Sequence, residues 1–305
     1  MLYPKKLEKG STVAIVAPSS AVSKEREAAC VAKLEELGFK VKCAGNLSTH
    51  YGGYMADTGE VRGKWRNEMF ADPEVDSIFC IRGGDTGTRV YDYLDLDIIR
   101  KNPKIFVGYS DITTFHLLIN QQCNLVTFHG PIVSSNMVEF NEFSQNAFFE
   151  ALTAEEKYEF KNPENRPIEI MKEGKASGII VGGNLSSMSG SMGTPYEVDT
   201  KDKILFIEEI DEEVARIDRF ATQLRNAGKF RDCKGVILGH FTDCPNSEDP
   251  EYDYLTYFRD ILAEYDIPVM YNVSSGHEEP MVTIPFGAMC SMDTETKTIV
   301  FDVER

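Results

Sequence analysis

The chain has 305 residues, which at about 100 to 200 residues per domain predicts two domains or one large one. Its 32 lysines and arginines against 49 aspartates and glutamates give a formal net charge of −17. Such a charge repels phosphate backbones and anionic lipid surfaces, so no nucleic acid and no membrane is expected as a partner. With 42% hydrophobic and 27% charged residues, the composition is that of a folded globular chain.

The cysteines and the amino-terminal residues indicate in which cellular compartment the protein is expected. Seven cysteines are odd in number and lack Cys-x-x-Cys spacing, which favours a reducing environment over a disulfide framework. The apolar run at Val13–Val16 is too short for a signal peptide. A cytoplasmic protein is therefore expected.

Short apolar runs alternate with helical spacing through the first 150 residues. The predicted strands are 12–17, 39–43, 77–81, 105–107 and 125–128, and the predicted helices are 24–37, 61–70, 88–94 and 112–122. This alternation is typical of an α/β domain whose parallel sheet is covered on both faces and binds ligands at the carboxyl ends of its strands. We assign it to residues 1–150.

The amino-acid composition of the chain changes after residue 150. Residues 151–175 are charged and contain two prolines, which predicts a linker. A second apolar series follows, with predicted strands at 178–181, 204–207, 235–238, 269–271, 283–286 and 298–301 and helices at 214–227 and 254–264. Residues 176–305 are therefore predicted to form a smaller, mixed α/β domain.

The clearest candidate nucleophile is Ser110. A buried strand runs into Gly108–Asp111 and directly into a helix, which is the context of a nucleophile elbow. Position 112 is isoleucine where the elbow motif has glycine, and a serine or aspartate that only caps the helix would give the same pattern. This window alone leaves both interpretations open.

A glycine-rich loop, Arg82–Gly87, follows another predicted strand. Consecutive glycines let backbone N–H groups approach a ligand, as in an oxyanion hole or a phosphate cradle, although a simple tight turn is equally compatible. No Gly-Lys-Ser/Thr follows and the Gly-x-Gly-x-x-Gly spacing is missed. Nucleotide binding is therefore disfavoured.

Acids and histidines near other strand ends complete the candidates. Glu208 and Glu209 follow the apolar run 204–207, and His277 lies in the turn-rich loop 274–280. Taken singly, such residues are more often solvated loop positions. His129 also follows a strand and is a candidate to line the cleft. A metal at the single cluster His240, Asp243 and Cys244 is disfavoured because no second pair of ligands accompanies it.

Serine, acid and histidine follow one another here in the order found in α/β-hydrolases. With its other motifs, the chain resembles the peptidase S66 family of serine LD-carboxypeptidases, which includes muramoyltetrapeptide carboxypeptidases and microcin C7 self-immunity hydrolases. The motifs that carry the resemblance are Val13–Ser20, Arg82–Gly84, Gly108–Asp111, His129–Pro131, Gly182–Leu185, Glu208 with Arg216–Arg219, and Gly276–His277.

The resemblance implies a flavodoxin-like or glutamine-amidotransferase-like first domain, a smaller second domain and a homodimer. It implies that Ser110 is the nucleophile, His277 the general base and acid, and Glu208 the residue that orients the histidine. Strand alternation does not choose between Glu208 and Glu209; only the resemblance selects Glu208.

The implied reaction is removal of the terminal D-alanine from a murein tetrapeptide by acyl transfer, in peptidoglycan recycling, with no metal or organic cofactor. The backbone N–H groups of Gly84 and Asp111 are the expected oxyanion hole. The expected substrate-binding residues are Arg82, as the anchor of the terminal carboxylate, and Gly83, His129 and Met192.

Two other functions stay open. One is hydrolysis of a peptidyl-nucleotide antibiotic, as in the microcin branch of the family. That branch has a tryptophan that stacks on a nucleobase where this chain has Met192, which favours the carboxypeptidase branch. The other is a non-catalytic protein that holds a small peptide in the same cleft.

Overall fold

Strands and helices alternate along the first half of the chain, and strands predominate towards its end. The computed structural model describes residues 1–304, so residue 305 of the predicted second domain lies outside the described residues. The strands, in chain order, are β1 (Thr12–Val16), β2 (Lys40–Cys43), β3 (Ser77–Cys80), β4 (Ile105–Gly108), β5 (Thr127–His129), β6 (Lys157–Phe160), β7 (Glu169–Lys172), β8 (Lys175–Asn184), β9 (Ile204–Ile210), β10 (Gly235–Thr242), β11 (Val269–Tyr271), β12 (Ile284–Phe286), β13 (Met289–Asp293) and β14 (Thr298–Asp302).

The α-helices connect these strands. They are α1 (Lys24–Glu36), α2 (Gly59–Ala71), α3 (Leu96–Lys101), α4 (Thr113–Cys123), α5 (Glu142–Thr153), α6 (Leu185–Ser191), α7 (Val214–Asn226), α8 (Lys229–Asp232) and α9 (Tyr254–Leu262). The helix predicted at 88–94 is a 3-10 helix, Gly87–Tyr93.

The first sheet has the strand order β12-β5-β4-β3-β1-β2. Strands β1 to β5 are parallel, and β12 joins the edge antiparallel to β5. Every residue of β3 and β4 is buried, as expected for parallel strands covered on both faces. The predicted α/β class and the parallel first sheet are confirmed.

The second sheet has the order β6-β14-β13-β8-β9-β10-β11-β7. Its centre, β8 to β11, is parallel and its flanks are antiparallel. Helices α7 and α9 bury Ile217, Leu224 and Phe258 in one hydrophobic cluster with Leu205 of β9 and Val236 of β10. Each such side chain contributes about 1.5–3 kcal/mol through burial.

The segment 151–175, for which a linker is predicted, contains strands of the second sheet. Strand β6 pairs with β14, and β7 pairs with β11. Along β6 the exposed Lys157 and Glu159 alternate with the buried Tyr158 and Phe160. This is the pattern of an edge strand with one solvated face, which explains the charged composition. The domain boundaries themselves stay a prediction.

The two sheets meet near the carboxyl end of β4. The Thr113 side chain, at the start of α4, accepts a hydrogen bond from the backbone N–H of Asn184 at 2.9 Å. Strand β12, from the second half of the chain, pairs with β5 of the first. Within residues 1–304, none of the helices combines the length and apolar character needed to cross a bilayer.

Candidate active site

Ser110 follows strand β4 on a sharply turned backbone. Its φ is +66°, in the left-handed region, where a non-glycine residue costs about 1–3 kcal/mol. A 3-10 turn, Ser110–Ile112, then runs directly into α4. Strand, strained serine and helix in succession form the geometry of a nucleophile elbow.

The glycine loop packs its backbone against this serine. A β-carbon placed on Gly83 would lie 2.9 Å from the Ser110 Oγ, so a side chain there would displace the hydroxyl. Gly84 has a φ of +143°, which glycine adopts readily and other residues rarely do. A β-carbon on Gly84 would also lie 2.3 Å from the Ser20 Oγ. Both glycines therefore permit a close approach.

The Asp111 side chain fastens the glycine loop to the serine turn. Its Oδ2 accepts hydrogen bonds from the backbone N–H groups of Thr86 at 2.9 Å and Gly87 at 2.7 Å. Burial raises the pKa of Asp111, and these hydrogen bonds oppose that rise. The position of the loop relative to Ser110 therefore depends on this carboxylate.

Glu208 and His277 form a buried pair. The Nδ1 atom of His277 lies 2.6 Å from Oε2 of Glu208, with the Glu208 side chain fully buried and that of His277 10% exposed. Since Nδ1 faces the carboxylate, Nε2 is the ring nitrogen left for proton transfer.

The charges around His277 favour its protonated form. Burial by itself lowers the pKa of His277, but the negative charge of Glu208 and its hydrogen bond outweigh burial and raise the pKa above its usual value. Glu208 thus stabilises an imidazolium at this position.

Tyr109 connects the serine turn to the histidine. It directly precedes Ser110, and its ring packs edge-on to His277 with the ring centroids 4.7 Å apart. Within residues 1–304, Ser110 and His277 do not hydrogen-bond to each other directly; such bonds are often long in unliganded enzymes.

Glu209 faces the other side of β9. Its carboxylate accepts hydrogen bonds from the Asn184 side chain at 2.6 Å and from the backbone N–H of Ser186 at 2.7 Å. Burial, followed by the neighbouring charge of Glu208, raises the pKa of Glu209. Adjacent strand residues point to opposite faces, so Glu208 contacts His277 and Glu209 holds the start of α6.

Glu279 anchors the loop that carries His277 to the first half of the chain. Its carboxylate accepts hydrogen bonds from the Asn136 side chain at 2.7 Å, the Ser144 hydroxyl at 2.6 Å and the Asn141 side chain. This set of contacts, the Glu279 clamp, lies two residues beyond His277.

An open cavity of about 510 Å³ lies in front of Ser110, within the range typical of small-molecule sites. Gly84 and Ser110 line one side, and Asn184 and Ser186 line another. The charged residues of its lining are Asp85, Asp111, Glu209, Asp211, Glu212 and Arg216. The walls are therefore predominantly acidic.

A second cavity, of about 640 Å³, lies at the opposite, amino-terminal edge of the first sheet, beside Ser11, Asp76 and Lys104. Ligands of parallel sheets bind at the carboxyl ends of the strands. The cavity beside Ser110 is therefore the candidate active site.

Models of known families match both halves of the chain. The model of the LD-carboxypeptidase N-terminal domain matches residues 13–130, and that of the C-terminal domain matches residues 177–292. The probable murein peptide carboxypeptidase of Bacillus subtilis (strain 168) is 37% identical over 98% of this chain and 94% of its own length. The chain belongs to the LD-carboxypeptidase family.

Solved structures agree with this membership of the LD-carboxypeptidase family. Microcin C7 self-immunity protein MccF in complex with aspartyl sulfamoyl adenosine superposes with a TM-score of 0.90 at 27% identity, covering 100% of this chain and 99% of that one. A muramoyltetrapeptide carboxypeptidase from Oxalobacter formigenes gives 0.84 at 27% identity, covering 97% and 99%. The relatives support a carboxypeptidase, a hydrolase of peptides.

Two of the expected substrate-binding residues, Arg82 and Met192, lie away from the cavity, and His129 is a third. Arg82 is exposed and donates to the carbonyl of Ala21 at 3.2 Å. Met192 is half-buried at the end of α6 and packs on the second hydrophobic cluster. Neither lines the cavity. Gly83, in contrast, lies against Ser110.

His129 does not fit the expectation that it lines the cleft. It is fully buried in β5, with the rings of Phe286 at 5.1 Å and Phe206 at 5.2 Å. Burial holds its pKa well below the usual value. Strand β5, which ends at His129, is not an edge strand because β12 pairs with it, with Ile284 opposite His129. The local sequence pattern does not reveal this long-range contact.

The residues 240–244 do not assemble a metal site. His240 is buried on β10, where its Nδ1 accepts the backbone N–H of Glu278 at 3.3 Å. In the part of the chain that the structure describes, no three or more histidine, cysteine, aspartate or glutamate side chains are grouped to hold an ion.

Asn184 and Glu279 are not among the site residues expected from the sequence. Asn184 lies in a motif named for the resemblance, but its contact with Glu209 depends on the pairing of β8 with β9. The partners of Glu279 lie 135 to 143 residues earlier in the chain, so no local signal marks it.

Proposed function

We propose that this chain is a serine LD-carboxypeptidase that removes the terminal D-alanine from murein tetrapeptides. The observation that carries the proposal is the buried Glu208–His277 hydrogen bond beside the strained turn of Ser110. The proposal includes cytoplasmic action in peptidoglycan recycling and a homodimer, both of which the family resemblance implies.

In the proposed mechanism, Nε2 of His277 takes the hydroxyl proton of Ser110 as its Oγ attacks the carbonyl carbon of the scissile bond. Glu208 keeps the imidazole oriented and stabilises the imidazolium that forms. The tetrahedral oxyanion accepts hydrogen bonds from the backbone N–H groups of Gly84 and Asp111.

The second half of the reaction uses the same groups. His277 gives its proton to the amine of the departing D-alanine, which leaves an acyl ester on Ser110. His277 then deprotonates a water molecule, which attacks the ester and releases the shortened peptide. These steps use the side chains of the triad, the backbone N–H groups of Gly84 and Asp111, and one water molecule.

A second candidate is the hydrolysis of a peptidyl-nucleotide antibiotic, supported by the likeness to MccF. MccF has been solved with aspartyl sulfamoyl adenosine, a ligand with an acidic aminoacyl group. The acidic cavity walls of this chain, which include Asp85 and Asp211, would repel such a group. They suit a murein peptide whose acyl residue is a diamino acid with a free ammonium group.

Labelling with a fluorophosphonate tests whether the chain is a serine hydrolase or a non-catalytic binding protein. An activated serine reacts with this probe and an ordinary one does not. We expect one adduct per chain, mapped to Ser110 by peptide mass spectrometry and absent from Ser110→Ala. An unlabelled wild-type protein, or an adduct on another serine, would contradict the mechanism.

A further inference from the structure

A carboxypeptidase must recognise the terminal carboxylate of its substrate, and one residue of the cavity is suited to it. We propose that Arg216 binds this carboxylate; the inference rests on the proposed carboxypeptidase function. Among the described residues that line the cavity, Arg216 is the one lysine or arginine. Arginine binds a carboxylate through two parallel N–H donors.

The Arg216 guanidinium lies at the cavity wall, where its protein contacts leave some of its N–H donors free. Nε lies 3.2 Å from Oε2 of Glu212, and the guanidinium carbon lies 5.2 Å from the centre of the Phe220 ring. Glu212 and Phe220 also line the cavity. The contact with Glu212 involves Nε, and within residues 1–304 no protein acceptor is hydrogen-bonded to Nη1 or Nη2, so these two groups are available together.

The existing ion pair does not compete strongly with a substrate. The Arg216 side chain is 53% exposed and that of Glu212 is 22% exposed; ion pairs that solvent reaches in this way contribute about 0–1 kcal/mol. Glu212 therefore orients the guanidinium, and a substrate carboxylate can bind it without disrupting a strong contact.

Other arginines near the serine are engaged elsewhere. Arg82 donates to the carbonyl of Ala21, and Arg89 donates to the sulfur of Met55. Neither lines the cavity in front of Ser110. Position in the sequence favours Arg82, at a strand end, but the folded chain brings the first turn of α7 to the cavity instead.

The acidic residues around Arg216 restrict where in the cavity a substrate carboxylate can bind. Asp85, Asp211 and Glu212 line the same cavity, and like charges repel a carboxylate in such a confined space. Beside Arg216 the repulsion is offset. The charge pattern therefore places the carboxyl end of a bound peptide at α7.

The test compares two peptides, a tetrapeptide ending in free D-alanine and its carboxamide, on wild type and Arg216→Gln. The wild type should prefer the free acid. A lost charge-assisted hydrogen bond is equivalent to about a 10- to 100-fold effect, so Arg216→Gln should raise KM for the acid by that factor. KM for the carboxamide should stay nearly unchanged, and the preference should disappear. Arg216→Lys should restore part of it.

Arg225→Gln is the matched control. Arg225 lies on the same helix, has a similarly exposed side chain and pairs with a surface glutamate, Glu264, and this variant should keep the preference for the free acid. Full preference in Arg216→Gln would overturn the inference. Loss of preference in Arg82→Gln, with Arg216→Gln unaffected, would also overturn it and assign the anchor to Arg82.

Fluorophosphonate labelling separates the inference from the function on which it rests. Arg216→Gln should be labelled at Ser110 at the wild-type rate, because the probe carries no carboxylate. A wild type that is labelled, releases D-alanine and prefers the free acid, but does not depend on Arg216, would contradict the inference alone. A wild type that releases no D-alanine would contradict both.

Discussion

The Nδ1 atom of His277 lies 2.6 Å from Oε2 of Glu208, although 69 residues separate the two in the chain. The contact brings together the fifth residue of β9 and the loop that precedes β12. The Glu208 side chain is fully buried and that of His277 is 10% exposed. The contact decides which nitrogen of the imidazole is free, and therefore from which direction a serine proton can be taken.

Glu208→Gln should lower kcat by roughly 10³- to 10⁴-fold, because the amide keeps the shape of the carboxylate but loses the charge that stabilises the imidazolium. The measurement is steady-state release of D-alanine from a murein tetrapeptide by the purified variant.

Glu209→Gln is the control for Glu208→Gln. This substitution should mainly lower the free energy of unfolding, by about 1–3 kcal/mol, because Glu209 accepts hydrogen bonds from Asn184 and Ser186. Chemical denaturation measures this. If Glu209→Gln had the larger effect on kcat, the catalytic acid would be Glu209.

The acid limb of the pH–rate profile should report His277. The histidine must be neutral to accept a proton, so kcat/KM should fall as the pH drops through its pKa, which Glu208 raises above the ordinary value of about 6.5. In Glu208→Gln the burial of His277, which lowers its pKa, is opposed only by the more weakly acting charges of Glu209 and Asp211, so the limb of the residual activity should move to lower pH. Profiles from about pH 5 to pH 9 test this, and an unmoved limb would refute the assignment.

Loosening the Glu279 clamp should reduce turnover without removing any reacting group. Glu279→Gln replaces an acceptor of three hydrogen bonds, and a misplaced His277 should lower kcat about 10- to 100-fold with little change in KM. The fluorophosphonate labelling rate should fall in parallel. The neighbouring, exposed Glu278 pairs with Arg166, and Glu278→Gln should leave both rates unchanged. Equal effects of the two substitutions would argue against a positioning role.

The strain at Ser110 predicts a difference between two inactive variants. Both Ser110→Ala and Ser110→Gly lose the nucleophile. At a φ of +66° alanine is strained and glycine is not, so the glycine variant should be more stable than the alanine variant by about 1 kcal/mol. Urea denaturation of both variants measures the difference. A more stable alanine variant would show that the turn relaxes.

Local patterns predict the parallel first sheet because each buried strand is a continuous apolar run followed by a helix. They fail at β6, where Lys157 and Glu159 on the solvated face suggest a linker. They fail at His129, whose burial depends on a strand from the other half of the chain. Edge and long-range pairing are properties of the folded chain and not of a sequence window.

The candidate site also combines features that the local sequence predicts with features that only the folded chain shows. The turn at Ser110 and the glycine loop are visible from residue types, since glycine and a strand-to-helix junction have local causes. The choice between Glu208 and Glu209 requires knowing which face of β9 meets the loop of His277. The charge of the cavity, and the presence of Arg216 in it, depend on how α7 packs beside the first sheet.

The most direct test of the account is turnover of two substrates side by side by wild type and Ser110→Ala. The wild type should release free D-alanine from a murein tetrapeptide and leave aspartyl sulfamoyl adenosine largely intact, and Ser110→Ala should hydrolyse neither compound. Hydrolysis of aspartyl sulfamoyl adenosine without release of D-alanine, or undiminished release of D-alanine by Ser110→Ala, would contradict the proposed function.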